Sequence, residues 1–157
     1  MKTLRESVTL LGVFGPLVWL GAVWSSLPAK LPSHFGLDGM PNHYASRDMV
    51  LLIAGFSIGM YFLLFLVQRY PHRMNLPRPV GDPDRPRVEA LGVEMIGWLR
   101  LELAWTFAYI LWAVVQVGTQ QREGLGAGFT YISVGAVFGT IAWFYVRMRK
   151  SAQPPAM

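Results

Sequence analysis

Charged and apolar positions along this chain segregate into blocks instead of alternating at a short period. Four stretches carry no charged side chain: Ser7 to Ala29, Met49 to Gln68, Leu103 to Gln121 and Gly124 to Val146. Each reaches the roughly 20 residues that a helix needs to cross about 30 Å of hydrocarbon. Backbone amides in lipid must be satisfied within the structure, which a single helix achieves on its own. The pattern therefore predicts an all-α, integral membrane fold of four transmembrane helices with a structured extracytoplasmic loop between helices 1 and 2. The helices are expected at about 7–27, 49–68, 97–118 and 126–147, in one four-helix domain over 1–157. The connecting segments are then an outer loop at 28–48, a cytoplasmic loop at 69–87 and a disordered tail at 151–157.

Composition agrees with this reading. The chain is 53% hydrophobic and only 15% charged, against about 25% charged in an ordinary soluble domain. The apolar core of the first run exceeds the ~7–15 residues of a secretory signal, and Trp24 stands where cleavage wants small residues, so the run reads as an uncleaved anchor. Cysteine is absent, which removes disulfide and thiolate chemistry.

Charge sets the expected orientation. Lys2, Arg5, Arg69, Arg73, Arg78, Arg85, Arg87, Arg147, Arg149 and Lys150 fall at the two ends and in the middle loop. Only Lys30, Arg47 and Arg122 fall in the other two loops, with Arg100 near a helix end. That excess places both termini and the middle loop in the cytoplasm, in the cell (inner) membrane. The net charge of +5 then needs membrane lipids of the inner leaflet as partner, and no nucleic acid.

Glycine and proline add local expectations. Pro16 should kink helix 1, and Ser46 is a plausible N-cap for helix 2. Gly55 and Gly59, and Gly135 and Gly139, have the G-x-x-x-G spacing that lets another helix approach closely. Their matching placement in helices 2 and 4 hints at two related helical hairpins. The middle loop holds five prolines over Arg69 to Arg87 and should lack regular structure. From Val88 the sequence turns helical, and a helix reaching Val117 would run about 45 Å at 1.5 Å per residue.

Candidate chemistry concentrates in two places. The first is the loop "LPAKLPSHFGLDGMPNHYASR". Pro28 and Pro32 stiffen it, Asp38-Gly39 and Pro41-Asn42 signal turns, and Leu27, Leu31 and Phe35 are expected to face the membrane. Trp24 and Tyr44 suit the aromatic interface belt. His34 could pin the loop to a backbone carbonyl, contact an external ligand, or join Asp38 and His43 around a metal. The last spacing matches no zinc pattern. No serine or threonine is matched to His34 by spacing and no carboxylate pair is visible, so no catalytic, cofactor or metal site is read, and the reading leans away from an enzyme.

The second place is helix 3. Trp98, Glu102, Trp105, Tyr109, Trp112 and Gln116 recur at alternating steps of four and three and form one stripe. Such stripes usually pack, but a carboxylate near a membrane helix end can also serve a polar path. Arg100, two residues from Glu102, projects elsewhere.

The loop also resembles the outer-loop motif of a widespread family of small bacterial membrane proteins, L-P-x-x-I-P-x-H-[FW]-x-x-x-G-x-x-D-x-[YW]-x-x-[KR], whose best-known relatives are SdpI-type immunity proteins. Leu27, Pro28, Pro32, His34, Phe35, Gly39, Tyr44 and Arg47 fall on the pattern. Leu31 replaces the usual isoleucine, and Asn42 stands where aspartate is common. The likeness covers Leu27 to Arg47 and the two flanking helices. It implies a polytopic, non-enzymatic protein of the sensor or immunity type. The outer loop of such a protein engages an extracytoplasmic peptide or lipid, and a cytoplasmic regulator is a further partner. His34 and Phe35 are then the expected contact pair, with Pro28, Pro32 and Gly39 shaping the loop. Two other readings stay open: a small transporter or membrane enzyme using Glu102 and the stripe, and an accessory subunit of a membrane complex.

Overall fold

The computed structural model describes residues 2–77 and 82–151. Its elements, in chain order, are α1 (Lys2–Val23), β1 (Lys30–Phe35), β2 (Pro41–Ser46), α2 (Met49–Arg69), α3 (Arg85–Gly118) and α4 (Phe129–Ser151). All four helices are long and apolar enough to cross a membrane. The chain is a multi-pass, helical membrane protein, with a small antiparallel hairpin inserted between α1 and α2.

Helix α3 is the hub: α1, α2 and α4 each pack against it. At 34 residues it runs about 51 Å at 1.5 Å per residue, so its first turns extend past a bilayer core of about 30 Å. It starts at Arg85, three residues before the expected Val88, because Pro86 sits in its first turn, where a missing N–H costs nothing. The hub role argues against two equivalent hairpins. So does the link between α1 and α2, the one that carries strands among the described residues.

Three apolar clusters hold the bundle. Leu20, Leu27, Leu31, Val50, Ala54, Leu111, Val114 and Val115 pack at the hairpin end. Val13, Tyr61 and Ala104 meet midway. Val88, Phe144 and Met148 join the start of α3 to the end of α4, with Leu76, Leu91 and Met95 around them. The close approach of α1 to α3 occurs at Gly12, where an added Cβ would lie 3.1–3.3 Å from Trp105 and Ala104. The two G-x-x-x-G pairs play no such part. A Cβ at Gly55, Gly59, Gly135 or Gly139 would meet nothing within 4 Å, so both pairs face out of the chain.

Other local expectations are corrected. Helix α1 ends at Val23 and gives way to a 3-10 turn, Trp24–Ser26, instead of reaching residue 27. Pro16 lies inside it without dividing it. Ser46 does not cap α2: it closes β2, and the N-cap position belongs to Asp48. Pairing with β1 holds Ser46 in the strand, while its hydroxyl contacts the Asp48 carboxylate at 3.1 Å. Among its described residues the middle loop forms one 3-10 turn, Pro71–Arg73. Arg85 fastens it by donating from Nη2 to the carbonyls of His72 and Met74. Arg78 and the tail beyond Ser151 lie outside the described residues.

Candidate functional site

The hairpin is built by turn chemistry and fixed by one side chain. Asp38 Oδ1 accepts from the Met40 amide at 3.0 Å, and Gly39 adopts φ +79°, a conformation costly for any residue with a Cβ. Gly36 and Met40 close the turn. Strand pairing runs Lys30 with Ser46, Leu31 with Ala45 and Pro32 with Tyr44. It then shifts by one residue at His34–His43 and shifts back at Phe35–Pro41. An extra residue on each strand bulges the ribbon, which twists it and re-aims its side chains.

The first half of β1 is locked down. Leu31 is 0% exposed and occupies the space over Gly118, where an added Cβ would collide with it. Pro32 is fully buried, and β1 is the strand that packs on α3. The tip is tied as well: the Gly39 carbonyl accepts from the Leu125 amide at 2.8 Å. A Cβ on Gly39 would lie 2.9 Å from the Gly126 carbonyl oxygen, and one on Gly124 would overlap that of Gly39. Arg47 stacks over Trp24 at 5.2 Å and bonds its amide to the Ala29 carbonyl.

The turn and β2 are open. His34 Nδ1 lies 2.7 Å from Asn42 Oδ1, and His43 Nδ1 lies 2.6 Å from Ser33 Oγ. Both histidines are exposed, as are Tyr44, Met40 and Leu37, the last at 73%. Phe35, expected beside His34 as a contact, is half-buried and packs against the core cluster. Pro28 is half-buried and Gly39 buried. Among the described residues no group of three or more His, Asp or Glu is placed to hold a metal.

The aromatic stripe lies between α1 and α4. Trp98 receives Arg5 over its ring at 5.5 Å, and Trp105 Nε1 donates to the Val8 carbonyl. Glu102 turns the other way and accepts from Thr140 of α4 at 2.5 Å. Its second oxygen is buried without a partner. Tyr109 stacks on Phe129 at 4.5 Å and donates to the Leu125 carbonyl, with Arg122 over Trp112 at 5.0 Å. Trp105, Tyr109 and Trp112, with Gly15, Pro16 and Trp19 of α1, bound an apolar groove of about 460 Å³.

A third group was not singled out from sequence. Arg100, 4% exposed, donates from Nη2 to Glu6 at 2.6 Å and from Nη1 to Gln68 at 2.8 Å. The same Glu6 oxygen accepts the Tyr61 hydroxyl at 2.6 Å. Gln68 in turn donates to the Val93 carbonyl, and the guanidinium lies over the rings of Tyr61 and Phe65. The network ties α1, α2 and α3 together. The available signal was Arg100 itself, the last cation of α3 before its uncharged run.

These features define a polytopic membrane protein carrying a hairpin docked through β1 and exposed along β2. Residues 11–58, which run from α1 through the hairpin into α2, match a domain of unknown function, DUF1648. An uncharacterized protein of Archaeoglobus fulgidus is 38% identical over 71 residues, covering 39% of this chain and 39% of that protein. The chain thus matches well under half the length of this relative. No solved structure matches it.

Proposed function

We propose that this is a non-enzymatic sensor or immunity-type membrane protein whose hairpin binds an extracytoplasmic peptide. The observation that carries this reading is the contrast within the hairpin between Leu31 and Pro32 of β1, buried against α3, and the exposed side chains of His34, Asn42, His43 and Tyr44. A surface held rigid before binding loses little conformational freedom on contact. Strand β2, with its partner β1 between it and α3, offers an edge to an extended peptide. Leu37 and Met40 supply exposed apolar contacts at the tip, and Phe35, next to His34 in the strand, is anchored in the core cluster. The likeness to SdpI-type proteins points the same way, with a cytoplasmic regulator as second partner.

The test is survival of a sensitive host challenged with a cognate secreted peptide toxin. At equal membrane levels, His34→Ala should lower the tolerated toxin concentration about tenfold, the loss expected for one contact of some importance. Equal protection by the variant would remove His34 from the mechanism.

Glu102 favours a second reading, a small transporter, because its free oxygen is buried beside the α3–α4 contact. Proton or solute flux into liposomes that disappears with Glu102→Gln supports this reading. Flux that is absent, or unchanged in the variant, excludes it.

A further inference from the structure

At the end of the bundle that holds the start of α1 and the end of α4, a cleft of about 500 Å³ opens between three helices. Lys2 comes from α1, Arg87 and Glu94 from one face of α3, and Arg147, Lys150 and Ser151 from one face of α4. The spacings 87, 91, 94 and 147, 150, 151 bring these side chains together by helical period. Four cations thus face one carboxylate. Among the described residues none of the four makes an ion pair; the two recorded bridges involve Arg85 and Arg100. Like charges converging without counterions raise the free energy of the empty cleft and create a demand for an anion.

The surroundings identify the anion's source. Two apolar residues, Ala90 and Leu91, line the cleft beside its charges, and Leu91 continues into the cluster of Val88, Phe144 and Met148. Arg147 follows directly on the uncharged run that ends at Val146, so the cleft sits at the level where hydrocarbon meets headgroups. A soluble phosphate would leave Leu91 and the adjoining apolar cluster unused, whereas a glycerophospholipid places its phosphodiester among the cations and its acyl chains against Leu91. Glu94 adds an acceptor for headgroup hydroxyls. We infer that this cleft is a binding site for an anionic glycerophospholipid, distinct from the hairpin surface at the other end of the bundle.

The probe is phosphatidylglycerol titrated onto the detergent-solubilised full chain, with occupancy read by native mass spectrometry. Phosphatidylcholine and inorganic phosphate provide the comparison arms. Wild type should prefer phosphatidylglycerol over phosphatidylcholine by about tenfold or more, given what each basic residue near a lipid surface contributes. Arg87→Gln with Arg147→Gln should weaken phosphatidylglycerol binding about thirtyfold by the same reasoning. Arg69→Gln with Arg73→Gln removes equal charge outside the cleft and should leave binding within a few-fold of wild type. Equal losses in the two double variants would mean diffuse surface attraction and overturn the site. Displacement of the lipid by millimolar inorganic phosphate would overturn the lipid as its ligand.

Discussion

Glu6→Ala should destabilise the bundle by about 3–5 kcal/mol, the range for a buried charge stripped of its partner. Arg100 is 4% exposed, and its guanidinium has no other carboxylate in reach. Removing Glu6 leaves that charge with Gln68 and two aromatic faces, while the Tyr61 hydroxyl loses its acceptor. The reverse change is milder. The Glu6 side chain is 40% exposed, so Arg100→Met frees a carboxylate that can turn to water, and methionine refills most of the space. A cost of about 1–2 kcal/mol is expected, that of lost charge-assisted hydrogen bonds. Glu6→Ala combined with Arg100→Met should cost less than the two single changes added together, since no buried charge then remains. Unfolding in mixed micelles of rising dodecyl sulfate content, followed by tryptophan fluorescence, gives the three free energies and their coupling. Equal costs for the two single variants would show that the pair acts through packing and not through charge compensation.

The same network marks the boundary of what the sequence discloses. An apolar run is a local property, so the four helices are legible from block lengths alone, and the structure bears out the helical membrane fold. Glu6, Tyr61, Gln68 and Arg100 sit on three helices, and only packing makes them neighbours. Helical spacing correctly separates Arg100 from Glu102, but it cannot supply the partner from α1. The hairpin is half legible. Pro28, Pro32 and Asp38-Gly39 announce a shaped loop, yet each strand contains a proline and neither alternates cleanly, so strand pairing has no local signature. Ser46 shows how tertiary pairing overrides a capping preference: a serine three residues before a helix is kept extended by its ladder with Lys30. The G-x-x-x-G pairs fail for the opposite reason. Spacing reports that a helix could approach, while Gly12, without any such motif, is where one does.

Leu31 carries the second large effect because it joins stability to the proposed recognition. Leu31→Ala should cost about 2–5 kcal/mol, the range for emptying a fully buried leucine site. The cavity would open against Gly118, which has no side chain to collapse into it. The loss should be local in character, since β1 docks on α3 through this residue while the hydrogen bond from Leu125 to Gly39 holds the tip separately. Amide exchange across Lys30–Phe35 and Pro41–Ser46 should therefore accelerate far more than exchange in α2 or α3. Under the sensor reading, protection against a peptide toxin should fall with it, although every exposed side chain of the hairpin is unchanged. That outcome separates presentation from contact: His34→Ala alters the surface and leaves exchange slow, whereas Leu31→Ala leaves the surface residues and lets them move. If Leu31→Ala accelerates hairpin exchange while protection stays intact, the rigid docking of the hairpin has no part in recognition.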